Sequence, residues 1–96
     1  KHMAQHFAVE IQLLPAEQGG RVGPLASGEW RTVLSINNEH WSARLMFDGA
    51  PTPGESFRAT VQLLLPEAQQ HFPEGVEFKV WEGGTKGVGH VLSAAL

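Results

Sequence analysis

The stretch Gly75-Val76-Glu77-Phe78-Lys79-Val80-Trp81-Glu82-Gly83-Gly84 decides the fold. Val76, Phe78 and Val80 alternate with Glu77, Lys79 and Trp81, an apolar period of two. That period sends one set of side chains to a core and the other to water, which is the habit of a β-strand and not of a helix. Gly83-Gly84 then suits a two-residue hairpin turn into a following strand.

The same period recurs on both sides of this run. Phe7, Val9, Ile11 and Leu13 alternate with Ala8, Glu10, Gln12 and Leu14. Trp41, Ala43, Leu45 and Phe47 form a second set, and Phe57, Ala59, Val61, Leu63 and Leu65 a third. Weaker strands are expected near Trp30–Ile36 and Lys86–Ala95. Turn chemistry separates the runs: Gly19-Gly20 after the first, and Asn37-Asn38 where asparagine tolerates positive φ. Pro53-Gly54 suits the centre of a type II turn. Pro66 ends its strand because proline cannot donate to the ladder, and 66–73 reads as a loop or a single helical turn. Six short strands with regular turns predict an all-β domain, a closed six-stranded antiparallel β-barrel. Closure leaves a short chain no exposed sheet edge.

The 96 residues fit one domain. A chain of this size buries about two-thirds of the surface its unfolded form exposes, so one core suffices without staples. There is no cysteine, hence no disulfide framework and no thiolate zinc site. Lys1-His2-Met3 reads as a cloning remnant, so 1–6 is expected to be a leader and 7–96 the barrel. The longest apolar run, Leu63-Leu64-Leu65, is far short of a membrane span. These features fit a cytoplasmic protein without a membrane partner. The net charge of −3 argues against nucleic acid as the main partner, because phosphate neutralisation normally calls for a basic excess.

From Phe7 to Leu96 the chain resembles the C-terminal β-barrel, the third domain, of elongation factor Tu. The likeness is carried by Phe7-Ala8-Val9-Glu10-Ile11 with the loop Glu17-Gln18-Gly19-Gly20-Arg21, by Pro53-Gly54-Glu55, by Leu65-Pro66 and by Gly75 through Gly84. In that family the barrel packs against a second barrel, touches the backbone of tRNA and forms part of the surface for a nucleotide-exchange factor. By this resemblance Arg21, Glu82 and Gly83 correspond to RNA-facing positions. Arginine pairs with phosphate, and glycine lets a backbone approach closely.

The chain also departs from the family. Trp81 stands where the family has arginine before glutamate-glycine-glycine, and Thr85-Lys86 follows in place of arginine-threonine. Leu65 replaces the basic residue before proline, and Gly28-Glu29-Trp30-Arg31-Thr32 replaces glycine-tyrosine-arginine-proline-glutamine. Positive charge is thereby lost from the side that would meet RNA. The expected function is a non-catalytic binding module of translation-factor type that recognises a protein partner, such as a translation GTPase or related factor. The alternatives are contact with a tRNA-like RNA backbone, or a lone domain working with a separate GTPase. The binding candidates are Gly20, Arg21, Trp81, Glu82, Gly83, Gly84 and Lys86.

Other chemistries find little footing. Gly83-Gly84-Thr85-Lys86-Gly87 lacks the spacing and order of a phosphate loop, and a hairpin turn explains it better. His2, His6, His40, His71 and His90 share no metal-ligand spacing, so no metal or other cofactor is expected. Glu10, Glu17, Glu77 and Glu82 read as solvated strand-face carboxylates, and no serine or threonine sits in a nucleophile motif, so an enzyme is not expected. Trp81 is read as either a partner contact or a cap on the barrel. Trp41 is read as core. Arg21, Arg31, Lys79 and Lys86 form either a basic patch or, preferably, a salt-bridged face beside Glu10, Glu29 and Glu77.

Overall fold

A computed structural model describes residues 6–93 of the chain. Among them run β1 (His6–Leu13), β2 (Glu29–Ile36), β3 (Glu39–Met46), β4 (Ser56–Leu63), β5 (Glu77–Trp81) and β6 (Thr85–Ser93). Every pairing is antiparallel. The strands close into a barrel in the order β1-β4-β3-β2-β5-β6, the all-β architecture that the alternation predicts. Two short 3-10 turns interrupt it, Ala16–Gln18 and Pro66–His71. β1 opens at His6, one residue before the expected start. Lys1-His2-Met3 and the far end of the Lys86–Ala95 strand lie outside the described residues.

The period of two translates directly into burial. Phe7, Val9, Ile11 and Leu13 of β1 line the interior with Ala59, Val61 and Leu63 of β4, Ala43 and Leu45 of β3, and Phe78 and Val80 of β5. Leu34 and Val91 complete the ring. Phe78 lies opposite Gly89, which leaves room for its phenyl ring inside the barrel. Burying side chains of this size contributes about 1.5–3 kcal/mol each, so the core dominates stability.

Three local expectations are corrected. Leu65 does not continue the inward row of β4. The strand ends at Leu63, and Leu64 and Leu65 stand 76% and 56% exposed before Pro66 starts the 3-10 turn. That turn is not a mere connection, because Ala68 and Phe72 reach back into the core, where Phe72 meets Phe7, Trp41 and Phe78. The β5–β6 turn is not the two-residue Gly83-Gly84 hairpin. It spans Glu82-Gly83-Gly84, and Gly83 alone takes the left-handed conformation, at φ 72°. The register slips beside it: Val80 faces Gly87 while Trp81 faces Thr85, which leaves Lys86 as an extra residue. Asn37 and Asn38 do turn the β2–β3 hairpin with positive φ of 52° and 68°.

The barrel is not equally bonded all round. β1 is clasped along its length by β4 and β6, and β2 pairs with β3 from Glu29 to Ile36. The seam between β2 and β5 is short, joining only Val33 to Trp81, Leu34 to Val80 and Ser35 to Lys79.

Candidate functional site

The loop after β1 and the turn after β5 are far apart in sequence, and the fold brings them together at one end of the barrel. Gly20 passes tightly over the chain before it: its N–H donates to the Pro15 carbonyl at 3.1 Å, and a Cβ there would lie 2.0 Å from the Leu14 carbonyl oxygen. Only glycine fits that approach. The crossing delivers Arg21 to Glu82, with Nη1 donating to Oε1 at 3.3 Å. The other oxygen, Oε2, accepts from Trp30 Nε1 at 2.8 Å. The Arg21 guanidinium also sits 5.5 Å from the centre of the Trp30 ring, within cation–π range. Lys86 Nζ, from the slipped position of β6, donates to the Gly19 carbonyl at 3.0 Å.

Six of the seven binding candidates, Gly20, Arg21, Glu82, Gly83, Gly84 and Lys86, thus belong to one cluster. Within it the two cations are tied down. Arg21 is engaged by Glu82 and Trp30, and Lys86 by the loop backbone. The arrangement can latch the loop to the turn. Offering Arg21 to a phosphate would mean breaking an ion pair first.

Trp81 stands apart, on the outer wall. It follows Glu77 and Lys79 on the outward face of β5, 38% exposed, with its ring 5.5 Å from that of His40 in an edge contact. The indole overlooks an open cleft of about 1080 Å³ lined also by Ser35, His40, Lys79, Val88 and His90. Cross-strand register explains the lining. Ser35, Lys79, Val88, Gln12 and Ser56 form one row across β2, β5, β6, β1 and β4. Glu77, His90, Glu10 and Arg58 form the next. Val88, 42% exposed, extends the apolar floor beside Trp81.

Glu10 and Glu77 share this cleft, with His90 opposite both. His90 Nε2 lies 4.0 Å from Glu10 Oε1, and both side chains are well exposed. The four cations do not gather. Arg21 and Lys86 sit at the barrel end and Lys79 on the cleft wall, whereas Arg31 pairs with Glu29 in the salt-bridged manner preferred from sequence. Arg44 joins them, its Nε 2.8 Å from the same Glu29 oxygen that takes Arg31 Nε at 3.0 Å. Trp30, which from sequence could join Trp41 and Trp81 in an exposed aromatic site, is instead buried and bonded to Glu82, and no sequence signal singles out Arg44. Arg44 was visible as the polar neighbour of Ala43 and Leu45, but its partner on β2 is set by register alone. Trp41 is half-buried, stacked on His71 at 4.8 Å and edge-on to Phe72.

Among the described residues, no group of three or more His, Cys, Asp or Glu side chains could hold a metal ion. No helix among them is long and apolar enough to cross a membrane. In comparison with known proteins, the chain matches no family model and no curated sequence.

Proposed function

We propose that the chain is a non-catalytic β-barrel binding module of translation-factor type, which recognises a protein partner through the outer wall around Trp81. The observation that carries this reading is the exposed indole set over an open cleft beside Val88. Tryptophan in such a place is a characteristic anchor of protein interfaces. The elongation factor Tu resemblance supplies the class of partner, a translation GTPase or related factor, encoded separately or as another part of the same protein. The RNA-backbone alternative is weaker, because Arg21 and Lys86 are both engaged within the barrel and the net charge is −3. The working environment that fits this reading is the cytoplasm.

The experiment is affinity capture from native extract with the wild-type chain and Trp81→Ala side by side, followed by titration of the captured partner. Trp81→Ala should weaken the complex by about 1–2 kcal/mol or more while the barrel stays folded. Equal capture by both chains would remove Trp81 from the interface. Tight tRNA binding that falls steeply with salt would replace the protein partner with RNA.

A further inference from the structure

On the wall formed by β2, β3 and β4, Arg31 and Arg44 are direct cross-strand neighbours. Like charges placed opposite each other oppose sheet formation. Glu29 offsets part of this, accepting from both Nε atoms through one oxygen. The guanidinium beside it holds the Glu29 carboxyl below its ordinary value, so the group stays charged. Two cations around one anion leave a single positive charge. The terminal guanidinium nitrogens of both arginines have no hydrogen-bond partner among the described residues.

Gln62 follows Arg44 in the same lateral row, on β4. With Arg31, Arg44, Thr32 and Leu64 it lines a cleft of about 570 Å³. Thr32 is only 7% exposed, and its hydroxyl finds no hydrogen-bond partner. Thr32 shares the inward row of Ala43 and Leu63, so its hydroxyl faces the barrel interior and is no part of the outer seat. Leu64 stands at the cleft, more exposed than any strand leucine of the barrel. The features of the outward row together are a positive charge with free forked donors, an amide and an apolar rim.

We propose that this cleft receives a carboxylate side chain from an acidic segment of a partner protein, held between the free ends of Arg31 and Arg44, with an apolar residue of that segment covering Leu64. A guanidinium pairs with a carboxylate through two parallel hydrogen bonds, and Gln62 adds a further donor. A nucleic-acid backbone is a poorer fit. It would bring a run of negative charges past Glu29 to a seat with one surplus positive charge, and it has no use for the exposed Leu64. The seat shares no lining residue with the Trp81 cleft, so it stands or falls separately from that surface.

The test is a titration of isotope-labelled protein with a short capped peptide of alternating Asp and Leu, read by NMR at the arginine Nε and backbone amide signals. Saturable shifts are expected at Arg31, Arg44, Gln62 and Leu64. Arg44→Gln should weaken binding about tenfold, the scale of one lost charge-assisted pair. Leu64→Ala should weaken it severalfold, and Trp81→Ala should leave it unchanged. Glu29→Gln should tighten it, since the competing carboxylate is gone; a purely structural arginine pair would give the opposite result or none. Leu64 is exposed, so its variant keeps the test open should Arg44→Gln fail to fold. Shifts spread evenly over every Lys and Arg would overturn the proposal, as would unchanged binding in Arg44→Gln. Tighter binding of oligouridylate than of the peptide would reassign the seat to nucleic acid. Dimerisation lost in Arg44→Gln would give it to a second copy of the chain.

Discussion

Trp30 donates its indole N–H to Glu82 at 2.8 Å, across 52 positions of sequence. Because Glu82 also accepts from Arg21, a single carboxylate ties the β5–β6 turn both to β2 and to the loop after β1. The bond lies just past the short β2–β5 seam, where backbone pairing stops at Val33 and Trp81. Side chains continue the closure that the strands leave off.

Glu82→Ala should therefore destabilise the barrel. It strands the indole N–H of the nearly buried Trp30 and releases the Arg21 guanidinium. A loss of about 1–3 kcal/mol is expected, the scale of an unsatisfied buried donor. Glu82→Gln, which keeps an oxygen for Trp30, should lose less. Urea unfolding of both variants checks the order; a Gln variant weaker than the Ala variant would refute it.

Gly20→Ala should be costly out of proportion to one methyl group. The added Cβ would overlap the Leu14 carbonyl, a backbone atom that cannot swing aside. Overpacking of this kind costs typically about 1–3 kcal/mol. Gly23→Ala is the control, since a Cβ there meets nothing within 4 Å. Equal unfolding midpoints for the two variants would show that the loop can shift.

Phe72→Ala should cost about 3–5 kcal/mol, as for other buried aromatic truncations. Phe72 is fully buried, with its ring 5.1 Å from Phe7 and 6.0 Å from Phe78. Near-native thermal stability in this variant would mean that the 66–73 segment only leans on the barrel.

Stability should acquire a small acid dependence from Glu29. Its pKa is lowered chiefly by the hydrogen bond from Arg31, with Arg44 adding to the effect and desolvation opposing it. A carboxyl with a folded pKa below its unfolded one stabilises the fold above the unfolded value, and the contribution disappears as pH falls through the folded value. The difference between wild type and Glu29→Gln should thus be full near neutrality, begin to shrink as pH falls through the ordinary glutamate value of about 4.3, and vanish only below the still lower folded value. The pair is exposed, so salt should shrink it too. Parallel pH profiles for the two proteins would rule out this role.

Most of the barrel could be read from the sequence because burial in a sheet is a matter of parity. Once Phe7, Val9 and Ile11 alternate with polar or small neighbours, the inward face is fixed whatever the strands later pair with. Phe72 and Leu25 escaped because they reach the core from outside any strand, where no period marks them. The candidate site was legible only in pieces. Gly19-Gly20 and Glu82-Gly83-Gly84 each stood out, but their meeting depends on barrel closure, a long-range event that local spacing does not encode. The same holds for Arg31 and Arg44: each is an ordinary outward residue of its strand, and only the register between β2 and β3 makes them a pair.

The seam between β2 and β5 has a consequence for how the molecule comes apart. Strands β2, β3 and β4 follow one another along the chain and pair with immediate neighbours, whereas the ends of the wall are joined through β1 on one side and through the brief β2–β5 contact on the other. The β2–β5 seam has the fewest register pairs of the ring, three against four for β3–β4, so it is the expected place of opening. Opening at this seam would give a curved sheet with β2 and β5 as its margins, and Trp81 would lie on one of them. Any partner that grips Trp81 and reaches across to β2 would act as a staple over that margin, setting the lifetime of the closed ring.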